Sequence, residues 1–236
     1  LTVNNTSTNY PWSATIAGES GKEIRIYWGD DSFTDYTLNG SDQTISHTYA
    51  TIVAFNQSWE GDLEFSTKID APNKRLTGTL SKEWLRLTSL TYLDLYLNSL
   101  SGSIQNLMNI STGVTYFNIN TNSFTDDLGT SEWVDMFKTW TSIQDFLISS
   151  NSFTGDLSGW DALSTWTNIQ NFWIFDNSFT GDLSSWSGLS TWTNIQEFYI
   201  YSNSFSGTNN FVSSIFDNRV NYETGYTKTL DVSSNS

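Results

Sequence analysis

The chain contains no cysteine in 236 residues. No disulfide can staple it, so its stability must come from a buried core. It has a single histidine, His47, with no serine or cysteine signature around it, which argues against a nucleophilic triad. HExxH, P-loop and dinucleotide fingerprints are missing, and nothing singles out a pair of carboxylates for glycoside hydrolysis. The sequence reads as that of a non-enzyme. Basic residues are scarce: ten Lys and Arg stand against 25 Asp and Glu, a formal charge of −15 with a pI near 4.1. Nucleic acid and anionic membranes are therefore poor partners. The longest apolar runs span only a few residues, too short for a transmembrane segment. The chain opens at Leu1 without a signal-peptide pattern, which fits a processed protein or a fragment.

What is present is a period. Asn-Ser-Phe-Thr-Gly-Asp-Leu occurs at 151–157 and again at 177–183, and Thr-Asn-Ile-Gln at 167–170 and 193–196. Aligned on asparagine, each unit has apolar residues five and three before it and two after it. The asparagines are Asn98, Asn122, Asn151, Asn177, Asn203 and Asn235, and a degenerate first unit places Lys74 at that position. The intervals are 24, 24, 29, 26, 26 and 32 residues. Units of this length cannot bury an apolar face alone and must stack on their neighbours, which makes a solenoid.

Apolar residues two apart, such as Phe172 and Ile174, put both side chains on one face of a short strand and turn Trp173 to the other. The asparagine sits where the chain leaves that strand, and its buried amide can satisfy backbone groups of adjacent turns. The six asparagines are thus expected to form a structural ladder. Trp140, Trp166 and Trp192, Ile143, Ile169 and Ile195, and Leu128, Leu157 and Leu183 form further core columns, whereas Trp160 and Trp186 are expected to be partly exposed on the convex side.

These units, with Asn-Ser-Leu-Ser-Gly-Ser-Ile at 98–104, resemble the plant-type 24-residue variant of the leucine-rich repeat family over roughly residues 67–236, about seven repeats. The chain departs from the family in using Phe where Leu is usual, in its longer units and in lacking flanking cysteine caps. The resemblance implies a solenoid with a parallel sheet on its concave side.

The first 66 residues do not follow the period. They read as short strands, Trp12 to Ile16, Glu23 to Trp28, Thr34 to Leu38 and Ile52 to Phe55, separated by turn signals at Gly29, Asp30-Asp31 and Asn39-Gly40. Tyr27-Trp28-Gly29-Asp30-Asp31 with Ser46-His47-Thr48-Tyr49 is similar to the signatures of PKD-type, immunoglobulin-like β-sandwiches. The expected fold class is therefore mainly β: a small sandwich over 1–66, then the solenoid over 67–236. Such sandwiches usually serve as extracellular spacers. Together with the absence of cysteine this implies a bacterial surface, a secreted protein or a virion.

On the concave sheet the columns four and two before the asparagine turn aromatic in the later repeats. Trp173 should neighbour Tyr199, and Phe175 should neighbour Tyr201, since parallel strands lie about 4.8 Å apart. Asn171, Asp145 and Glu197 flank this patch, and Tyr96 lies in the same column earlier in the array. Flat rings beside carboxylates and amides suit a sugar or a protein hot spot. The competing readings are stacking that only stabilises the sheet, or cover by the segment 206–228, where Phe211, Val212, Ile215 and Phe216 need burial. Asp127, Asp156 and Asp182 form another column. Acceptance of turn hydrogen bonds is the favoured reading there, with bridging calcium as the minor one, and Asp30, Asp31 and Asp42 carry the same pair of readings.

No cofactor is otherwise expected. Two functions follow: adhesion or recognition of a cell-surface glycan or protein through the concave patch, or a structural subunit of a filament, sheath or virion assembled end to end. The second draws on the last unit, which ends without a polar cap, and on charge. Lys68, Lys74, Arg75, Lys82 and Arg86 crowd the first turns, whereas from 87 to 218 only Lys138 faces twelve acids.

Overall fold

The computed structural model describes residues 2–4, 10–51, 53–207, 229–231 and 235. The expected cover residues Phe211, Val212, Ile215 and Phe216 lie outside them. Contacts divide the chain into two compact units, Leu1–Ser111 with Ile119–Phe124, and Thr112–Asn118 with Thr125–Ser236. No helix among the described residues is long and apolar enough to cross a membrane.

In the first unit Phe33–Thr37, Glu23–Tyr27 and Ser58–Gly61 form an antiparallel sheet. A second sheet starts with Gln43–Tyr49 against Tyr10–Gly18. Alternation explains both: Trp12, Ala14 and Ile16 of one sheet and Ile24 and Ile26 of the other are buried. Gln43–Tyr49 covers the His-Thr-Tyr signature, where no strand was expected, and buries Ile45 and Tyr49. Of the stretch Ile52 to Phe55, expected to be a strand, Ala54 and Phe55 fall in the strand Ala54–Asn56, and Ile52 lies outside the described residues.

The signature residues converge. His47 Nε2 lies 2.7 Å from Asp30 Oδ2, its ring stacks on Trp28 at 4.8 Å, and the Tyr49 hydroxyl donates to the Trp28 carbonyl at 3.1 Å. Gly29 has φ +86, and a Cβ there would lie 2.7 Å from the Asn56 backbone nitrogen, so no larger residue fits. Burial raises the Asp30 carboxyl, but hydrogen bonds from Ser32 and His47 together outweigh it and hold the group below its ordinary value of 3.8.

Tyr10–Gly18 also pairs antiparallel with Ser66–Asp70, the first strand of the array, which pairs in parallel with Tyr92–Asp94. The N-terminal strand thereby occupies an edge that would otherwise present a row of unpaired backbone groups. Lys68 reaches Asp42 at 2.6 Å, Arg86 reaches Glu64 at 2.8 Å, and the Arg75 guanidinium sits 4.5 Å from the Tyr10 ring centroid. Three of the five crowded bases thus engage residues of the N-terminal segment.

In the second unit the strands Tyr116–Asn118, Asp145–Leu147, Asn171–Trp173, Glu197–Tyr199 and Thr229–Asp231 run parallel, with Asp145, Asn171, Glu197 and Thr229 in register. A narrower parallel sheet of Thr154–Asp156, Ser178–Asp182 and Ser204–Ser206 lies along the same repeats. The return segments are helical: the α-helix Ser131–Phe137 and the 3-10 helices Leu157–Thr165 and Leu183–Thr191. The core is a set of ring columns. Phe117, Phe146, Phe172 and Phe198 stack in sequence at 5.8, 5.9 and 5.4 Å, and Trp166 stacks on Trp192 at 5.8 Å.

Trp160 and Trp186, expected to be partly exposed, are buried, with 0% and 1% exposure. They lie on the inward side of the two 3-10 helices, 6.5 Å apart and nearly parallel. Each donates Nε1 to a carbonyl one turn earlier, Trp160 to Leu128 at 3.1 Å and Trp186 to Leu157 at 2.7 Å. Trp166 and Trp192 do the same to Phe137 at 2.7 Å and Leu163 at 2.9 Å. The return segments are ordered enough to aim these indoles inward, so the partial exposure expected of Trp160 and Trp186 is not found.

The asparagines bridge consecutive turns. Asn177 accepts from the Phe153 amide at 3.0 Å and donates to the Ile148 and Ile174 carbonyls at 3.1 and 3.2 Å. Asn98 accepts from the Lys74 and Leu76 amides and donates to Ala71 and Leu95, while Asn122 accepts from Leu100. Asn151 donates to Ile148, Asn203 accepts from Phe179, and Asn235 accepts from Phe205. Immediately before them Leu97, Thr121, Ser150, Asp176 and Ser202 all take positive φ between 50° and 55°. That left-handed step is unfavourable for residues with a Cβ, and the amide bonds on either side hold it.

Candidate functional site

Register places Trp173 directly beside Tyr199, and the frame places Phe175 beside Tyr201 on the same strands' continuation. Trp173 and Tyr199 have centroids 5.6 Å apart; Phe175 and Tyr201 stack at 4.5 Å with 13° between planes. Contacts of 6.2 Å between Trp173 and Phe175 and of 6.4 Å between Tyr199 and Tyr201 close the square. All four rings are part-exposed, while Phe172, Ile174, Phe198 and Ile200 between them are buried. The alternation of a short strand thus builds a packed floor beneath an open aromatic surface.

Polar groups sit at one margin. Trp173 Nε1 donates to Glu197 Oε2 at 3.1 Å, which fixes the indole's orientation. Asn171 Nδ2 donates to Asp145 Oδ1 at 2.5 Å. Burial raises the Asp145 carboxyl, and the Asn171 bond only partly offsets this. Asp145, Asn171 and Glu197 lie in one register row, so the margin is a line of acceptors and an amide. The seven residues Trp173, Phe175, Tyr199, Tyr201, Asn171, Asp145 and Glu197 are brought together; Tyr96 belongs to the first unit, where it is exposed.

The carboxylates of the other column serve turns. Asp156 accepts from the Ser158 amide at 2.9 Å, Asp182 from the Ser184 amide at 2.8 Å, and Asp127 from the Gly129 amide at 3.0 Å. Asp156 and Asp182 are the N-caps of the two long 3-10 helices, and the serine hydrogen bonds hold both carboxyls below their ordinary value. Among the described residues, no three His, Asp or Glu side chains converge as a metal site. In the first unit Asp30 accepts from Ser32 and Asp42 pairs with Lys68.

No protein-family profile and no curated protein matches the chain. Solved structures do. A TDR receptor is similar over 72% of this chain and 26% of its own, with 23% identity and a TM-score of 0.58. The plant peptide hormone receptor RGFR1, solved in complex with RGF2, is similar over 71% of this chain and 28% of its own, with 24% identity and a TM-score of 0.56. A plant ice-binding protein matches 72% of this chain and 49% of its own at 18% identity and a TM-score of 0.54. The chain spans about a quarter of the length of those receptor chains. The fold of the repeats is that of the leucine-rich repeat solenoid.

Proposed function

We propose that this chain is a non-enzymatic extracellular recognition module that binds a glycan or a protein segment through the aromatic patch of the second unit. The observation that carries this is the four-ring surface of Trp173, Phe175, Tyr199 and Tyr201, part-exposed above the buried Phe172, Ile174, Phe198 and Ile200. Part-exposed rings grouped in this way mark contact surfaces. Their faces suit a flat apolar ligand surface, and the margin of Asp145, Asn171 and Glu197 suits hydroxyl or amine donors. The similar receptor solved with a peptide hormone supports a protein ligand, while the ice-binding protein of comparable similarity shows how widely function varies on one fold.

The PKD-like reading of the first 66 residues and a bacterial or virion setting belong to the same proposal, as does adhesion. The first residues serve as the cap of the array, a role supported by the pairing of Tyr10–Gly18 with Ser66–Asp70. End-to-end assembly is the weaker reading, because Lys68 and Arg86 are engaged by Asp42 and Glu64 and contribute little to a basic end face.

The test is a binding screen of the full chain against arrayed glycans and cell-surface proteins, repeated with Trp173→Ala/Tyr199→Ala. A hit lost at least a hundredfold in the double variant, with thermal unfolding retained, supports the patch; the removal of two interface aromatics of about 1–2 kcal/mol or more each corresponds to that factor. A hit that the double variant keeps moves the site elsewhere.

A further inference from the structure

The charge beside the aromatic patch is of one sign and narrows what the patch takes. Glu197 lies two residues before Tyr199, and Asn171 two before Trp173, so these side chains share a strand face with the rings, about 7 Å away along the chain. Glu197 spends Oε2 on the Trp173 indole, and its Oε1 meets no donor among the described residues. Asp145, in the same row, accepts from Asn171 and is raised by a burial that no cation offsets. The only base among the described residues of the second unit is Lys138, and it pairs with Asp135. Two part-buried carboxylates thus border the rings without a positive partner, and a charge partly removed from water is costly until one arrives.

Ring geometry selects further. Phe175 and Tyr201 lie face to face, whereas Trp173 is inclined to Tyr199 by 38° and to Phe175 by 45°, and Tyr199 to Tyr201 by 57°. Rings so inclined offer no coplanar platform for a sugar, and neutral hydroxyls would leave Glu197 and Asp145 uncompensated. A guanidinium meets both demands: its plane stacks on an aromatic face, it only donates hydrogen bonds, and its charge is permanent. We propose, resting on the reading of the patch as a recognition surface, that its occupant is an arginine side chain of a protein segment, with the guanidinium against the rings of Trp173 and Tyr199 and its N–H groups donating to Glu197. Lysine fits less well, because an ammonium has no plane to lay on a ring. The formal charge of −15 on the chain draws such a basic segment in.

The experiment uses the full chain with ¹⁵N-labelled tryptophan, the indole signal of Trp173 being assigned with Trp173→Phe. The probe is acetyl-Gly-Arg-Gly-Arg-Gly-amide; its citrulline counterpart, of the same shape without the charge, and cellotetraose are the comparisons. The arginine peptide should move the Trp173 indole signal while that of the buried Trp160 stays in place, and the citrulline peptide should bind about tenfold more weakly. Glu197→Gln keeps an acceptor for the indole and removes the charge; it should lower arginine-peptide affinity about fivefold or more and leave that of the citrulline peptide unchanged. Glu132→Gln, the same charge change at an exposed position of the helix Ser131–Phe137, should have no effect. The proposal is overturned if the Trp173 signal does not move up to about 10 mM arginine peptide, if the arginine and citrulline peptides bind equally, or if Glu132→Gln costs as much as Glu197→Gln, which would be attraction to net charge alone. Cellotetraose binding at the patch more tightly than the arginine peptide overturns it too, yet leaves the patch a recognition surface. Retention of arginine-peptide binding in Trp173→Ala/Tyr199→Ala removes both readings. Should that double variant fail to fold, Glu197→Gln and the arginine–citrulline comparison on the unaltered chain still decide.

Discussion

The buried tryptophans of the repeats and those of the N-terminal segment satisfy the same physics unequally. In the second unit every long 3-10 segment contributes an indole that stacks on its counterpart one repeat away and donates to a carbonyl one turn back. In the first unit Trp12 and Trp28 meet edge to face at 5.6 Å; Trp28 donates to Thr34, whereas Trp12 has no acceptor. A period guarantees that a geometry found once is offered again to the next copy. A non-repeating domain must solve each polar atom separately.

The largest expected effect tests how far the period reaches. Asn177→Leu and Asn98→Leu should each destabilise by roughly 2–3 kcal/mol, because the first leaves the Phe153 amide and the second the Lys74 and Leu76 amides unserved at about 1–3 kcal/mol per buried group, partly relieved by water, while the Ile148, Ile174 and Leu95 carbonyls keep Asn151, Asn203 and Asn122. Equal losses in thermal or urea unfolding would place the first-unit repeats with the second-unit ones, and confine the contrast to the N-terminal segment. A much smaller loss for Asn98→Leu would move the boundary of periodic behaviour past residue 98.

Next in size is the contrast between indoles themselves. Trp166→Phe removes the 2.7 Å bond to the Phe137 carbonyl, which keeps the Trp140 amide at 2.9 Å, while Trp12→Phe removes a donor that has no partner. Both lose ring volume, so the difference between them isolates the hydrogen bond: about 0.5–1.5 kcal/mol more for Trp166→Phe. Equal costs in chemical denaturation would erase the comparison.

The smallest effect concerns pH, and the two units should respond in opposite senses. The Asp30 carboxyl is held below 3.8 in the fold, so its contribution is present above that value and is lost as pH falls through the folded pKa. The Asp145 carboxyl is raised, so the fold binds its proton more tightly than the unfolded chain does. Stability is then lost as pH rises from 3.8 through the raised value. Asp30→Asn should flatten the acid side of the stability profile, and Asp145→Asn should stabilise at neutral pH with no gain well below pH 3.8. A neutral-pH loss in Asp145→Asn would show that its ionised form is needed in the folded state.

The candidate patch was legible before any coordinates because it follows from alternation and period alone. Once Phe172 and Ile174 face inward, Trp173 and Phe175 face outward, and the next repeat puts Tyr199 and Tyr201 beside them. The bond from Trp173 Nε1 to Glu197 was not legible, since it depends on a rotamer. Nor was the burial of Trp160 and Trp186, which turns on helical geometry in segments of weak pattern.

Sequence by itself determined the stacking of the repeats, the parallel strand face, the asparagine ladder and the aromatic surface. In each of these a residue's neighbour is its own counterpart one period away, so local pattern suffices. Tertiary structure alone decided that Tyr10–Gly18 closes the edge of the first repeat strand and that Lys68 and Arg86 turn to Asp42 and Glu64. Those outcomes join residues far apart in the chain with no repeat to relate them, and only the packed chain brings them within reach of one another.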